Sequence, residues 1–275
     1  MGTGTPAASG GGDDPIARNR AMWDERVPIH VGSDFYDVDG FRAGGPALDP
    51  RVVEAVGPVE GLDLVHLQCH IGLETIDWAR RGASVTGLDF SPAAVGAATS
   101  LAAGMGVEAR FVAADVRDAP AALGETYDVV CTGIGALFWL PEIGAWADVV
   151  MALLRPGARL HVTEFHPVEQ VMRDDMVTPL LRYREGEALA WEAEGSYADR
   201  SAVTVQNRSV GWVHPVGAVV SALLERGLVI ERFAEWEDTH YPRWPFLERD
   251  GRYWRFPDGA PSIPLMYSLT GRRPG

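Results

Sequence analysis

Apolar and polar positions alternate between two periods through the first two-thirds of the chain. Leu64-Val65-His66-Leu67 is a short apolar run that suits a buried strand. Leu73, Ile76 and Ala79 then recur at helical spacing, with Glu74, Asp77, Arg80 and Arg81 between them and Gly82 where the helix should stop. Val85 to Leu88 is a second apolar run, closed by Asp89. Ser91-Pro92 opens a helix through Ala103 that stops at Gly104, with Pro at its first position. Arg110 to Ala113 and Tyr127 to Cys131 read as third and fourth strands. A helix over Trp146 to Leu154 follows, broken by Pro156-Gly157, and Arg159 to Phe165 is a fifth strand. This repeated strand–helix alternation predicts an α/β fold with a parallel sheet and right-handed crossovers, whose functional residues gather at the C-terminal ends of the strands.

The flanks are less regular. Residues 1–15, rich in Gly, Ala, Thr and Ser, read as a disordered tail. Residues 16–60 read as an N-terminal helical lid segment, with one helix over Ile16 to Arg26 carrying Met22 and Trp23 and another over Leu48 to Val56; Val27 to Pro46 between them is mixed. The core of the sheet spans 61–165. Residues 166–212 form a long insertion of mixed charge, expected to cover the substrate. Residues 213–275 return to the core with a helix over Val216 to Arg226 and closing strands over Leu228 to Phe233 and Pro264 to Leu269. Between those strands lies an aromatic insertion, 236–262, a second candidate cover or an interface.

Charge narrows the partners. The chain has 24 basic and 38 acidic side chains, a net charge of −14 and a pI near 4.9, which argues against nucleic acid and anionic membrane. Every basic side chain is Arg, so a Walker lysine and lysine Schiff-base chemistry are excluded. Cys69 and Cys131 are too few for a disulfide scaffold or an all-Cys zinc site. No apolar run has membrane-spanning length and no signal pattern opens the chain, so a cytoplasmic enzyme, monomeric or homodimeric, is expected.

Asp89 lies 21 residues beyond Gln68, the distance at which a carboxylate reaches the ribose of a nucleoside held at the first strand–helix turn. A dinucleotide loop needs several glycines for close backbone approach to a pyrophosphate. Here only Gly72 remains, Gln68 and His70 occupy the other tight positions, and Glu74 falls in the first helical turn, where it would repel a pyrophosphate. A nucleoside without phosphate and with a cationic end fits better, which favours S-adenosylmethionine (SAM) over NAD.

The strand ends form a constellation: Gln68-Cys69-His70, Asp89-Phe90-Ser91, Asp115-Val116, Gly133-Ile134-Gly135 and Glu164 to His166. With these residues the stretch from about Leu62 to Phe165 resembles a class I SAM-dependent methyltransferase, and its Leu-Gln-Cys-His-x-Gly loop resembles a bacterial small-molecule subgroup. The resemblance implies a Rossmann-like, mostly parallel sheet with its last strand antiparallel and helices on both faces. It also implies Asp89 on the ribose and Asp115 on the adenine amino group. Cofactor contacts are expected from Gln68, Cys69, His70, Gly72, Asp89, Phe90, Ser91, Asp115, Val116, Gly133 and Ile134, with Trp23 and Tyr36 folding over the cofactor. Two departures stand out: His66 replaces an acid, and Gln68 and His70 replace glycines.

Each residue also has a plainer reading. Asp115 is a turn aspartate, the cysteines are small packing residues, and His66 and His161 are core histidines. His161 and His166 invite a metal, but no third ligand has convincing spacing, so no metal is expected. His166, just after the fifth strand, is the first candidate for a general base, and Glu164 the second. The function these readings support is methyl transfer to O, N or activated C of a small, partly apolar metabolite. The alternatives are an NAD(P)-dependent oxidoreductase on a similar sheet and a SAM-binding protein without methyl transfer.

Overall fold

A computed structural model of the chain describes residues 5–6, 14–173, 175–176 and 178–275. Its strands are β1 (Thr5–Pro6), β2 (Asp63–Leu67), β3 (Ser84–Asp89), β4 (Arg110–Ala113), β5 (Tyr127–Thr132), β6 (Leu154–Phe165), β7 (Glu187–Glu192), β8 (Arg208–Val213), β9 (Val229–Trp236), β10 (Asp238–Thr239), β11 (Glu248–Asp250), β12 (Tyr253–Arg255) and β13 (Met266–Arg272). The helices are α1 (Pro15–Val31), α2 (Val38–Arg42), α3 (Pro50–Val56), α4 (Leu73–Arg80), α5 (Pro92–Gly104), α6 (Ala119–Leu123), α7 (Ile143–Leu153), α8 (Pro167–Val171) and α9 (Val216–Glu225).

Seven strands form one sheet in the order β4-β3-β2-β5-β6-β13-β9. The first five are parallel, and β13 runs antiparallel to both β6 and β9. The expected mostly parallel sheet with an antiparallel last strand is therefore the fold observed. Leu64, Val65 and Leu67 are wholly buried, because a parallel sheet covered by helices on both faces leaves no wet side. On one face α7 and α9 pack Trp146, Val150, Leu153, Val219 and Leu223 against Val130, Leu160 and Val162. On the other, Trp78 of α4 joins Leu64, Val85, Val129 and the α3 residues Val52 and Val56.

Chain growth reverses direction between β2 and its neighbour β5, and at such a switch point a crevice opens at the carboxyl ends of the strands. The ends of β2, β3, β4 and β5 meet there.

Several boundaries differ from the periodicity. Pro156-Gly157 does not separate helix from strand: β6 begins at Leu154 and runs through it, with Gly157 at φ +79° and a register shift against β5 absorbing the bend. Helix α1 continues five residues beyond Arg26, through Pro28, to Val31. The tail expected over 1–15 lies mostly outside the described residues; Thr5–Pro6 pairs with Glu192 and Trp191 of β7, and Asp14 caps α1. The insertion 166–212 contributes the antiparallel pair β7–β8, joined by β1 into a three-stranded sheet.

The aromatic insertion 236–262 serves its own packing. Trp244, Leu247 and Phe256 form a satellite core with Leu265, and β10, β12 and β11 make a small sheet beside it. Arg51 of α3 lies 4.1 Å over the Trp236 ring and 4.2 Å over Tyr253 while pairing with Asp49 and Asp238. The insertion is thereby tied to α3.

Candidate functional site

A cleft opens at the switch point with about 730 Å3 of space, continuous with solvent. Its floor comes from the strand ends: Gln68 and His70 after β2, Asp89 and Phe90 at β3, Asp115 to Arg117 after β4, and Ile134 to Ala136 after β5. Trp23, Tyr36, Trp139 and Tyr197 close over it.

The loop after β2 shows how this chain manages without the usual glycines. Gln68 and His70 take φ of +55° and +51°, the left-handed region that favours glycine and costs another residue about 1–2 kcal/mol. Asp89 offsets part of that cost, since its Oδ2 accepts the backbone N–H of His70 at 2.8 Å. Its Oδ1 accepts from Ser91 N at 2.9 Å, which leaves each oxygen further lone-pair capacity for a ligand hydroxyl. Burial lifts the Asp89 carboxyl to about 6 despite both bonds. Asp115 turns its carboxylate on its own loop: it caps the turn at Val116–Asp118 and takes both Nε and Nη2 of Arg117, at 2.9 and 2.7 Å. Both the turn reading and the cleft position hold for this residue.

Of the residues expected at the cofactor, the cleft brings together Trp23, Tyr36, Gln68, His70, Asp89, Phe90, Asp115, Val116 and Ile134. Four others are not among its lining. Cys69 is buried behind the loop. Gly72, at φ +75°, starts α4 where a Cβ would strike Ala98 and Phe111, so it is a packing glycine. Ser91 is the N-cap of α5, its Oγ donating to Asp24 of α1 at 2.5 Å. Gly133 passes so close to the Gln68 carbonyl that a Cβ would lie 2.4 Å from it.

Neither candidate base lines the cleft. His166 is turned away: Nδ1 accepts from Val168 N at 3.2 Å to cap α8, and Nε2 lies 3.0 Å from Glu235. Glu164 sits under the neighbouring loop in a small side cavity with Tyr267 and His214. Its Oε2 accepts from Leu137 N at 2.8 Å and its Oε1 from Phe165 N at 2.7 Å, so it props the turn that presents Trp139. Burial lifts its carboxyl to about 8. Glu74 also differs from expectation. It faces His66 Nε2 at 3.6 Å and is not among the residues that line the cleft. His66 and His161 are core histidines bonded to threonines, and among the described residues no cluster of His, Cys, Asp or Glu could hold a metal.

Sequence reasoning missed Ile16, Arg117, Ala136, Trp139, Leu140 and Tyr197 in the lining, together with His30 and Ser196 behind it. Trp139 and Leu140 follow the β5 end closely enough to have been found by extending the strand-end rule. Tyr197 and Ser196 carry no local signal, because a fold contact across more than a hundred residues brings them in. Side chains of α1 clamp the insertion onto the lid. Asn19 exchanges two bonds with the Val210 backbone, at 2.7 and 2.9 Å. Glu25 accepts from Val205 and Gln206, and Arg26 donates to Gln206 and Ala193 carbonyls. Tyr36 and Tyr197 join hydroxyl to hydroxyl above the cleft.

Comparisons with known proteins agree with this architecture. Residues 65–157 match the family described as methyltransferase domain. The chain is 28% identical over 137 residues to the ubiquinone biosynthesis O-methyltransferase of Aeromonas salmonicida, a match covering 48% of this chain and 57% of that one. With a second such enzyme, from Sinorhizobium medicae, matched over 42% of its length, the chain spans about half the length of the curated relatives it matches. Among solved structures, the SAM-dependent methyltransferase of Mesorhizobium loti is 19% identical with a TM-score of 0.54, covering 86% of this chain and all (100%) of the other. The sheet to which residues 65–157 contribute has the fold of that solved methyltransferase, and the segment is similar to the methyltransferase-domain family.

Proposed function

We propose that the protein is a SAM-dependent methyltransferase acting on a small, partly apolar acceptor. The observation that carries this reading is the row of strand-end groups along one cleft: Asp115 and Val116, then Asp89, then Gln68 and His70, under an aromatic roof. The residues fit the cofactor. Asp89 has lone pairs to spare for ribose hydroxyls, and Gln68 Oε1 is buried with no hydrogen-bond partner among the described residues.

When bound, SAM supplies an electrophilic methyl on a sulfonium. The chain's own work is to align and to exclude water. Trp23, Trp139 and Tyr197 bring aromatic faces that hold a cation without competing for it. Asp24, accepting from Ser91 Oγ, fixes the lid on α5 and so sets the roof height. Glu164 positions the Leu137–Trp139 turn from beneath. Asp89 is committed to backbone N–H groups and to the ribose, and Asp115 to Arg117, so the favoured acceptor is one that ionises readily, and the O-methyltransferase relatives support oxygen as its atom. The aromatic lining and the −14 charge favour a neutral or aromatic molecule over a polyanion.

Equilibrium titration with S-adenosylhomocysteine (SAH) and with NADH tests the cofactor. Micromolar SAH binding and no NADH binding is the expected result; the reverse would sink the reading. Turnover of SAM against a panel of small phenols and enols then tests the acceptor class.

A further inference from the structure

The turn after β5 separates two spaces. Ala136, Trp139 and Leu140 line the cleft, while Leu137 and Phe138 line the side cavity shared by Glu164, Phe165, Trp212 and His214. The wall between them is thin: a Cβ on Gly135, at the cleft, would lie 3.0 Å from the Phe165 ring, at the cavity. Strand β8 ends at Val213, so the insertion delivers Trp212 and His214 to this wall. His214 is 5% exposed, and its protonation follows from its partner on the turn. Nε2 lies 2.7 Å from the Leu140 carbonyl, which can only accept, so Nε2 carries the hydrogen. Nδ1 then keeps its lone pair, and it is buried with no partner among the described residues. A buried nitrogen of that kind calls for a donor.

Resting on the methyl-transfer reading above, we propose that the side cavity takes the hydroxyl-bearing end of the acceptor, a phenol or enol, and that His214 Nδ1 is the base that removes its proton. The aromatic walls Phe138, Phe165 and Trp212 suit a flat apolar body, and the bare nitrogen suits a hydroxyl. Burial lowers the His214 pKa from 6.5, which keeps the ring neutral and its lone pair free at neutral pH. Glu164 does not compete for the proton. Its carboxyl, raised to about 8, is already protonated at neutral pH, and its two oxygens accept from Leu137 N and Phe165 N. In the step itself the acceptor O–H bond breaks and the proton passes to Nδ1. The electron pair left on oxygen forms the new bond to the methyl carbon, while the C–S bond breaks and leaves its pair on sulfur. Imidazolium formed in this way stays bonded to the Leu140 carbonyl through Nε2–H until Nδ1 returns its proton to water.

The test uses the full chain with phenol, whose hydroxyl ionises near about pH 10 as that of tyrosine does, and para-nitrophenol, which ionises unaided near neutral pH. His214→Gln keeps a side-chain N–H for the Leu140 carbonyl and removes the basic nitrogen. Turnover of phenol by this variant should fall by about 10²–10⁴ and that of para-nitrophenol by less than about tenfold, with SAH binding unchanged. A ring that only packs would cost both phenols alike. Nitrogen NMR of histidine-labelled wild type gives a reading that needs neither turnover nor a folded variant. The His214 ring, assigned by through-bond correlation to its own backbone, should carry its proton on Nε2, and phenol added to the SAH complex should move its Nδ1 signal. Equal losses for the two phenols, no loss, a proton on Nδ1, or an unmoved signal overturns the base. Wild type that binds SAH yet methylates neither phenol overturns the acceptor class. Wild type that binds no SAH overturns the cofactor reading itself, which is thereby distinguished from failure of His214 alone.

Discussion

Asp89 does two things with one carboxylate: it anchors the strained His70 backbone and faces the cleft. Asp89→Ala should weaken SAH by about 1–3 kcal/mol through lost charge-assisted bonds, checked by calorimetry on a variant whose circular dichroism is intact. It should weaken 5′-deoxy-5′-methylthioadenosine as well, since that ligand carries the same ribose. His166 makes the opposite prediction. With its ring committed to the α8 cap and Glu235, His166→Ala should change turnover less than the about 10²-fold minimum expected of a general base, and a larger loss at unchanged stability would return it to the chemistry. Glu164 carries a pH signature. Its carboxyl is raised from 4.5 to about 8, so the folded state holds the proton more tightly than the unfolded one. Its contribution to stability is therefore fully present below about pH 4.5 and is lost as pH rises toward about 8. The unfolding free energy of wild type relative to Glu164→Gln should fall over that window; a difference constant with pH would contradict the assignment.

At the scale of elements, the cleft is roofed by α1 and the β7–β8 insertion acting together. Asn19 is fully buried and satisfies the N–H and C=O of Val210, so Asn19→Ala leaves two backbone groups unpaired. Each such group costs about 1–3 kcal/mol when buried. Hydrogen exchange should then show α1 and residues 205–210 losing protection together while β2 and β5 keep theirs. Loss confined to either segment would mean the lid and the insertion open separately. A helix over Ile16 to Arg26 was readable in the sequence, but its reach to Val31 and its partner were not. Asn19, Glu25 and Arg26 look like an ordinary solvated helix face in the sequence. The backbone they bind lies more than 160 residues away, and no local pattern reports it.

For the whole molecule, charge and topology act separately. The −14 balance should keep the protein off nucleic acid at physiological salt, and a gel shift at submicromolar concentration would overturn this. The order of the sheet places the switch point between β2 and β5, so the cleft is a consequence of how the chain winds rather than of any single motif. The aromatic insertion 236–262, rich enough to suggest a second cover, instead builds a satellite core and ties to α3.

What the sequence determined by itself was whatever is written in local periodicity and at the ends of strands. The five parallel strands, their helices, and Asp89, Asp115, Gln68 and His70 at one edge all follow from apolar runs of strand length closed by polar residues. Only the tertiary structure decided which way side chains turn and what meets across the fold. Glu74 and His166 sit at suggestive positions, yet they turn to His66 and to the α8 cap, because each finds a nearby polar partner that satisfies it away from the cleft. Tyr197 and Ser196, silent in sequence, reach the site because the insertion docks on the lid. His30 links His70 to the Ser196 hydroxyl, 126 residues beyond His70 along the chain, since a hydrogen bond depends on distance in space and not on separation in sequence.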